Sequence, residues 1–372
     1  MKKKYQNAFF IFGIVVLAVM ITQLPFKQVW EGLQHAGYWF FAVVGLWFFL
    51  YLFNTAAWYI IIKAQKQHPQ SATATAQGDS NGQAANSPGK ETTTEATAAA
   101  TAKHGDTVAD GRRKNVTFFW LYKVTISGFA LNYATPGGLM GGEPYRIMAL
   151  SPRIGTERAS SSVILYVMTH IFSHFWFWLI CSVLFILLRH VTFLTGVMLA
   201  VVIGICLLAI WFFMKGYKRG LAVSGMKLIS HIPGLRKRAS RFISNHSEQL
   251  ATIDRQIASL HNQNPRTFVT IVALELTCRF LSALEVFFCL LVLYPSVNYL
   301  DCIFIVAFTT LFANLLFFMP LQLGGREGGF LMSTTGVGLT AGAGIFVALI
   351  VRIRELIWTA IGLLLIKYTG DK

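Results

Sequence analysis

Two short stretches of the chain set proline, glycine and a carboxylate at one spacing. Pro136-x-x-Leu139-x-Gly141-Gly142-Glu143 can be laid on Pro320-x-x-Leu323-Gly324-Gly325-x-Glu327, with the same Pro-to-Leu and Pro-to-Glu separations, and Gly137-Gly138 widen the first break. Proline and glycine interrupt a helix and leave backbone N–H and C=O groups free. Within a membrane such groups persist only when buried in protein or lining a polar cavity. The helix that restarts after each break would aim its free amides and positive dipole end inward, a site suited to phosphate. Pro144, directly after Glu143, suits a first helical turn. For one such motif an ordinary kink is the plainer explanation. Two matched motifs, each with a carboxylate at membrane depth where charge costs about 2.5 to 3.5 kcal/mol, favour a working site.

Other ionisable residues fall inside apolar runs. Glu275 and Arg279 are four apart on one helical face and can neutralise each other, a structural role by this reading, and Glu285 lies deeper in the same run. Arg352, Arg354 and Glu355 occur in the last run. Glu143, Glu275, Glu285, Glu327 and Glu355 thus balance Lys123, Arg279, Arg326, Arg352 and Arg354. That balance suits a cavity for a zwitterionic or anionic headgroup, and equally suits structural ion pairs. His170 and His174 are four apart but lack the HExxH pattern, so they read as satisfied core histidines, and no metal or other cofactor is expected. No Walker motif, GxSxG or strand-preceded GxGxxG occurs, which leaves ATP-driven transport and serine hydrolysis without support.

The elements that must position these residues are membrane helices. Of the 372 residues 55% are hydrophobic and 13% charged, with a mean hydropathy of +0.55, whereas a soluble domain carries about 25% charged residues. Apolar runs of membrane length cover 8–24, 37–62, 159–188, 193–214, 268–293 and 345–366. The segments 116–150 and 302–338 are each broken in the middle by the two motifs. The expected fold is all-α and polytopic, with six full transmembrane helices plus two re-entrant helical hairpins in an inverted repeat.

Charge supports that topology. The net charge of +16 would suggest nucleic acid on a soluble protein, but here most of it lies between apolar runs, and nucleic acid is set aside. With both broken segments as hairpins, only Lys27 and Arg189 fall outside, and Lys123, Arg279, Arg326, Arg352 and Arg354 lie at membrane depth. All other Lys and Arg face the cytoplasm, as do both termini. The three lysines at 2–4 precede a retained first span, since no A-x-A cleavage site follows it. The expected organisation is two N-terminal spans over 1–64, a low-complexity disordered cytoplasmic loop over 65–114, and a membrane core over 115–372. Within that core the basic loop 215–266 reads as amphipathic helix on anionic lipid of the inner leaflet, or as a solvated connection. The five cysteines all fall in apolar runs without CxxC spacing, so disulfides and structural zinc are not expected.

PGGLMGGEPYR (136–146), RFLSALEVFFCLLVLY (279–294), PLQLGGREGG (320–329) and the stretch 352–362 together resemble the lysylphosphatidylglycerol synthetase membrane region, also called the flippase-like domain family. The resemblance spans nearly the whole chain except 65–111, and Leu321-Gln322 departs from the family's usual PGGLGxREG. Family members joined to a C-terminal aminoacyl-transferase domain make lysyl-lipid on the cytoplasmic face, and their membrane region moves it outward. This chain ends at Lys372, shortly after the last run, so the transferase domain and its enzymatic activity are expected to be absent. The resemblance implies the membrane module alone, with Glu143, Arg146, Arg326, Glu327 and Arg352 on the matching substrate-binding positions.

The expected function is translocation of a lipid or lipid-linked headgroup across the cytoplasmic membrane. In that reading Arg326 and the free amides hold phosphate, while Glu143 and Glu327 engage a cationic group or the arginines. A non-transporting partner that holds a glycosyltransferase or other lipid enzyme through the loop 215–266 is the alternative. A membrane-embedded enzyme using Glu143 and Glu327 as acid and base is a third, weakened because no nucleophile accompanies them.

Overall fold

The computed structural model describes residues 26–66, 115–134, 141–217, 265–316 and 324–369, with scattered positions between 7 and 22. The low-complexity loop beyond residue 66, most of the basic loop, most of the first apolar run, and the breaks at Pro136, Gly137, Gly138 and Pro320 lie outside them. Among the described residues there are nine long or medium helices and no strand. They are α1 (Phe26–Lys66), α2 (Phe118–Ala134), α3 (Gly142–Ile154), α4 (Thr156–Leu188), α5 (Phe193–Tyr217), α6 (Pro265–Leu290), α7 (Tyr299–Leu315), α8 (Gly325–Gly336) and α9 (Ala341–Thr369). The protein is an all-α membrane protein.

Three stretches are long and apolar enough to cross a membrane: Ala36–Gln65 in α1, Thr156–Leu188, which is all of α4, and Phe193–Lys215 in α5. The helices α6 and α9, of 26 and 29 residues, are as long, but each carries charged residues that reduce its apolarity. Helix α1 bends at Gly37, whose φ of 52° is open to glycine and strained for other residues. Between α3 and α4 the chain turns at Gly155, with φ 88°, whose N–H closes on Ser151 O.

Tertiary contacts arrange these helices around a shared interior. Helix α1 packs along α6 and α2 along α9, while α9 also meets α8 and α1. Helix α4 contacts α1, α3, α5, α6 and α7. Helix α5 stays at the periphery and shows Phe193, Leu194, Met198, Leu208, Trp211 and Phe212 outward, as a lipid-facing helix does. Close approach of α2 and α9 depends on Gly362, where an added Cβ would sit 2.8 Å from Ile126 O. Ser127 Oγ uses the same closeness to donate to Gly362 O at 2.9 Å.

In each of the two segments a side-chain bond joins residues near its two ends. Arg153, late in α3, donates from Nη1 to Asn115 O just before α2, at 2.9 Å, and stacks over Trp120 near the start of α2. In the second segment, Thr340 after α8 bonds Tyr294, which precedes α7, at 3.1 Å.

Candidate functional site

A cavity of about 350 Å³ opens between α1, α4, α6, α7 and α9, and is also lined by the end of α2 and the start of α8. Helix α6 supplies Glu275, Arg279, Ser282 and Glu285, at steps of four, three and three that keep them on one helical stripe. Helix α9 supplies Arg354, Glu355 and Thr359, and α8 supplies Arg326. From α4 come His170 and His174, one turn apart. These side chains form two polar groups.

The first is a line of ion pairs. Arg354 Nε and Nη2 reach the two oxygens of Glu285 at 2.7 and 3.0 Å. Arg354 Nη2 also lies 3.7 Å from Glu355 Oε1, and the same oxygen accepts from Arg326 Nη1. Trp47 of α1 donates its indole N–H to Glu285 Oε2 at 3.0 Å and lies 3.9 Å beneath the Arg354 guanidinium. Charge-assisted and bidentate bonds of this kind are the strong ones, and here every arginine already has a carboxylate.

The second group is different. Glu275 Oε2 lies 2.8 Å from His170 Nδ1. Arg279 donates from Nε to Ser173 Oγ at 2.8 Å and from Nη2 to His170 O at 2.8 Å, and its Nη1 lies 2.6 Å from His174 Nε2. None of these acceptors is a carboxylate. Among the described residues that line the cavity, Arg279 is the arginine with no salt bridge. A guanidinium has five N–H donors, so two remain for an anion.

Of the residues singled out from sequence, only some come together here. Arg326, Glu275, Arg279 and Glu285 line the cavity. Glu275 and Arg279 share a face but do not form the expected salt bridge, because α4 brings a closer partner to each. Arg326 is occupied by Glu355, and Arg352 pairs with Glu327 on α8.

Glu143 and Glu327 serve their own segments instead of meeting. Glu327 Oε2 accepts the Gly324 N–H at 2.9 Å, closing the start of α8. Glu143 sits in the first turn of α3, accepts from Asn132 Nδ2 at 2.8 Å and lies 3.5 Å from Arg146. Asn132 also takes the Gly142 N–H at 2.7 Å, tying α2 to α3 across the first break. Gly141 and Gly142 open α3, as Gly324 and Gly325 open α8. Arg146 is 1% exposed and does not line the cavity. Its guanidinium lies 4.7 Å from the Phe129 ring and 5.3 Å from that of Tyr166, a cation–π setting that packs α3 against α2 and α4.

The sequence reading missed the histidines as part of the site. The sequence shows His170/His174 and Glu275/Arg279 as two pairs, each one turn apart, on separate apolar runs, but not that the two runs adjoin. Among the described residues no group of three or more His, Cys, Asp or Glu could hold a metal ion. No curated protein and no solved structure matches the chain. A family model described as lysylphosphatidylglycerol synthase TM region matches residues 97–362, and the chain belongs to that family.

Proposed function

We propose that the cavity receives the anionic headgroup of a phospholipid or lipid-linked molecule and passes it between the leaflets of the cytoplasmic membrane. The observation that carries this reading is Arg279, a cavity arginine held by neutral acceptors with N–H donors to spare. A phosphate oxygen accepting from it gains a charge-assisted bond in a place shielded from water. The Glu285–Arg354–Glu355–Arg326 chain supplies donors and acceptors for the remainder of the headgroup, while acyl tails stay in lipid.

Segments α2–α3 and α7–α8 act in this proposal as re-entrant hairpins of an inverted repeat, both resting on α9. Their support is the return of Arg153 to Asn115 and of Thr340 to Tyr294. Rocking one repeat against the other would alternate the accessible leaflet. Both termini lie in the cytoplasm on the charge argument. Transport is favoured over catalysis because the cavity thiol, Cys278, is turned to Leu50 O and Asn54 at 3.6 and 3.7 Å, and among the described residues no nucleophile is poised on His170.

Reconstitution into vesicles with a fluorescent phosphatidylglycerol tests the proposal. Wild-type protein should move the probe across the bilayer. Arg279→Ala should slow it about tenfold or more, the loss of one charge-assisted hydrogen-bonding group, with Arg279→Lys in between. Equal rates in all three would overturn the assignment.

A further inference from the structure

We propose that the Glu275–His170 pair binds a proton together with the anionic headgroup, so that headgroup movement is coupled to proton movement. The inference rests on the headgroup reading above and adds a co-substrate to it.

Glu275 is 1% exposed and belongs to the cavity wall. Its Oε2 faces His170 Nδ1 at 2.8 Å, while Oε1 is buried and has no hydrogen-bond partner among the described residues. An ionised carboxylate with one bare buried oxygen is poorly solvated, and a proton on that oxygen relieves the deficit.

His174 is excluded as the proton carrier by its bonding. Arg279 can only donate, so His174 Nε2, 2.6 Å from Nη1, must accept. The ring proton is then on Nδ1, which donates to His170 O at 3.2 Å. A second proton on Nε2 would point at the guanidinium. His170 has no such constraint, and it shares its proton with Glu275.

The surroundings of the pair are well defined. On α6, Arg279 and Cys278 act on Glu275. From α4 come Tyr166, His170 and His174, and Arg146 of α3 acts on His170. Helix α2 places the Phe129 ring 6.3 Å from that of His170. From α1, Asn54 is neutral, and Tyr51 has Arg354, Tyr122, Glu285 and Arg146 as its charged or titratable neighbours. The α7 wall offers the Thr309 and Thr310 hydroxyls.

Charge balance supplies the coupling. One turn apart, ionised Glu275 offsets Arg279 and weakens its hold on an anion. A phosphate on Arg279 with Glu275 still ionised leaves an excess negative charge in a desolvated space. A proton on the Glu275–His170 pair removes it. By linkage, headgroup binding draws in the proton and the proton strengthens headgroup binding. Affinity for an anionic headgroup therefore rises as pH falls.

Calorimetric titration of the purified full-length chain with dihexanoylphosphatidylglycerol, in two buffers of different ionisation enthalpy, reads binding and proton uptake together. Wild-type protein should take up a proton as the lipid binds. Glu275→Gln, which keeps the contact to His170, should bind the lipid with no proton uptake and with affinity independent of pH. Wild-type binding without buffer dependence would overturn the coupling and leave the headgroup reading intact. Proton uptake that persists in Glu275→Gln would also overturn it. Absence of lipid binding in wild type would overturn both.

Discussion

Arg354 is held on three sides, by Glu285, Glu355 and the Trp47 ring, at 3% exposure. Removing one partner of such a buried pair leaves an uncompensated charge, at a cost of about 3 to 5 kcal/mol. Glu285→Ala should therefore lower thermal stability in detergent by that order, with the Trp47 indole N–H also losing its acceptor. Replacing Glu285 and Arg354 together by methionine should restore most of the loss, since apolar replacement of a whole buried pair is often neutral. Equal destabilisation in single and double variants would contradict the pairing. Sequence could reveal that Glu275, Arg279 and Glu285 lie on one stripe of one helix. It could not reveal that His170, His174 and Arg354 arrive from other helices to claim them, because spacing along a chain carries no information about partners from elsewhere. For the same reason Glu143 and Glu327 looked like a facing pair of acids. A glutamate in a first helical turn can serve its own segment instead: Glu327 caps α8 through the Gly324 N–H, and Glu143 is held by Asn132 of α2.

Among the elements, α9 packs against α1, α2, α6 and α8. Its Gly362 lets α2 approach within backbone contact, and its Gly344 does the same for α8, where an added Cβ would sit 2.9 Å from Phe330 O. Gly362→Val would push against the Ile126 carbonyl, which is backbone and cannot turn aside. A loss of about 1 to 3 kcal/mol is expected from overpacking there, read by thermal unfolding, together with slower headgroup movement. Wild-type stability in Gly362→Val would show that α2 and α9 are not in such close register. The long apolar runs were legible as helices because burial in lipid demands continuous apolarity. Their ends were less so: α6 begins at Pro265, ahead of the apolar run, as proline permits in a first turn. Helix α1 extends back through the Gly37 bend to Phe26.

For the molecule as a whole, membrane character follows from composition alone, whereas the cavity does not. Hydropathy identifies the lipid-facing helices, such as α5, most strongly. The helices that build the polar interior are those whose charged stripes lower the same signal, so α6 and α9 read as weaker spans despite their central place. In the proposed function this interior holds a phosphate at Arg279. An electron cryomicroscopy map of the protein in nanodiscs of anionic phospholipid tests it most directly. Phosphate density within about 3 Å of the Arg279 guanidinium nitrogens, with the acyl chains leading out between helices, is the predicted result. A lipid phosphate seated on Arg326 or Arg352 instead, or a cavity that excludes headgroups under those conditions, would contradict it.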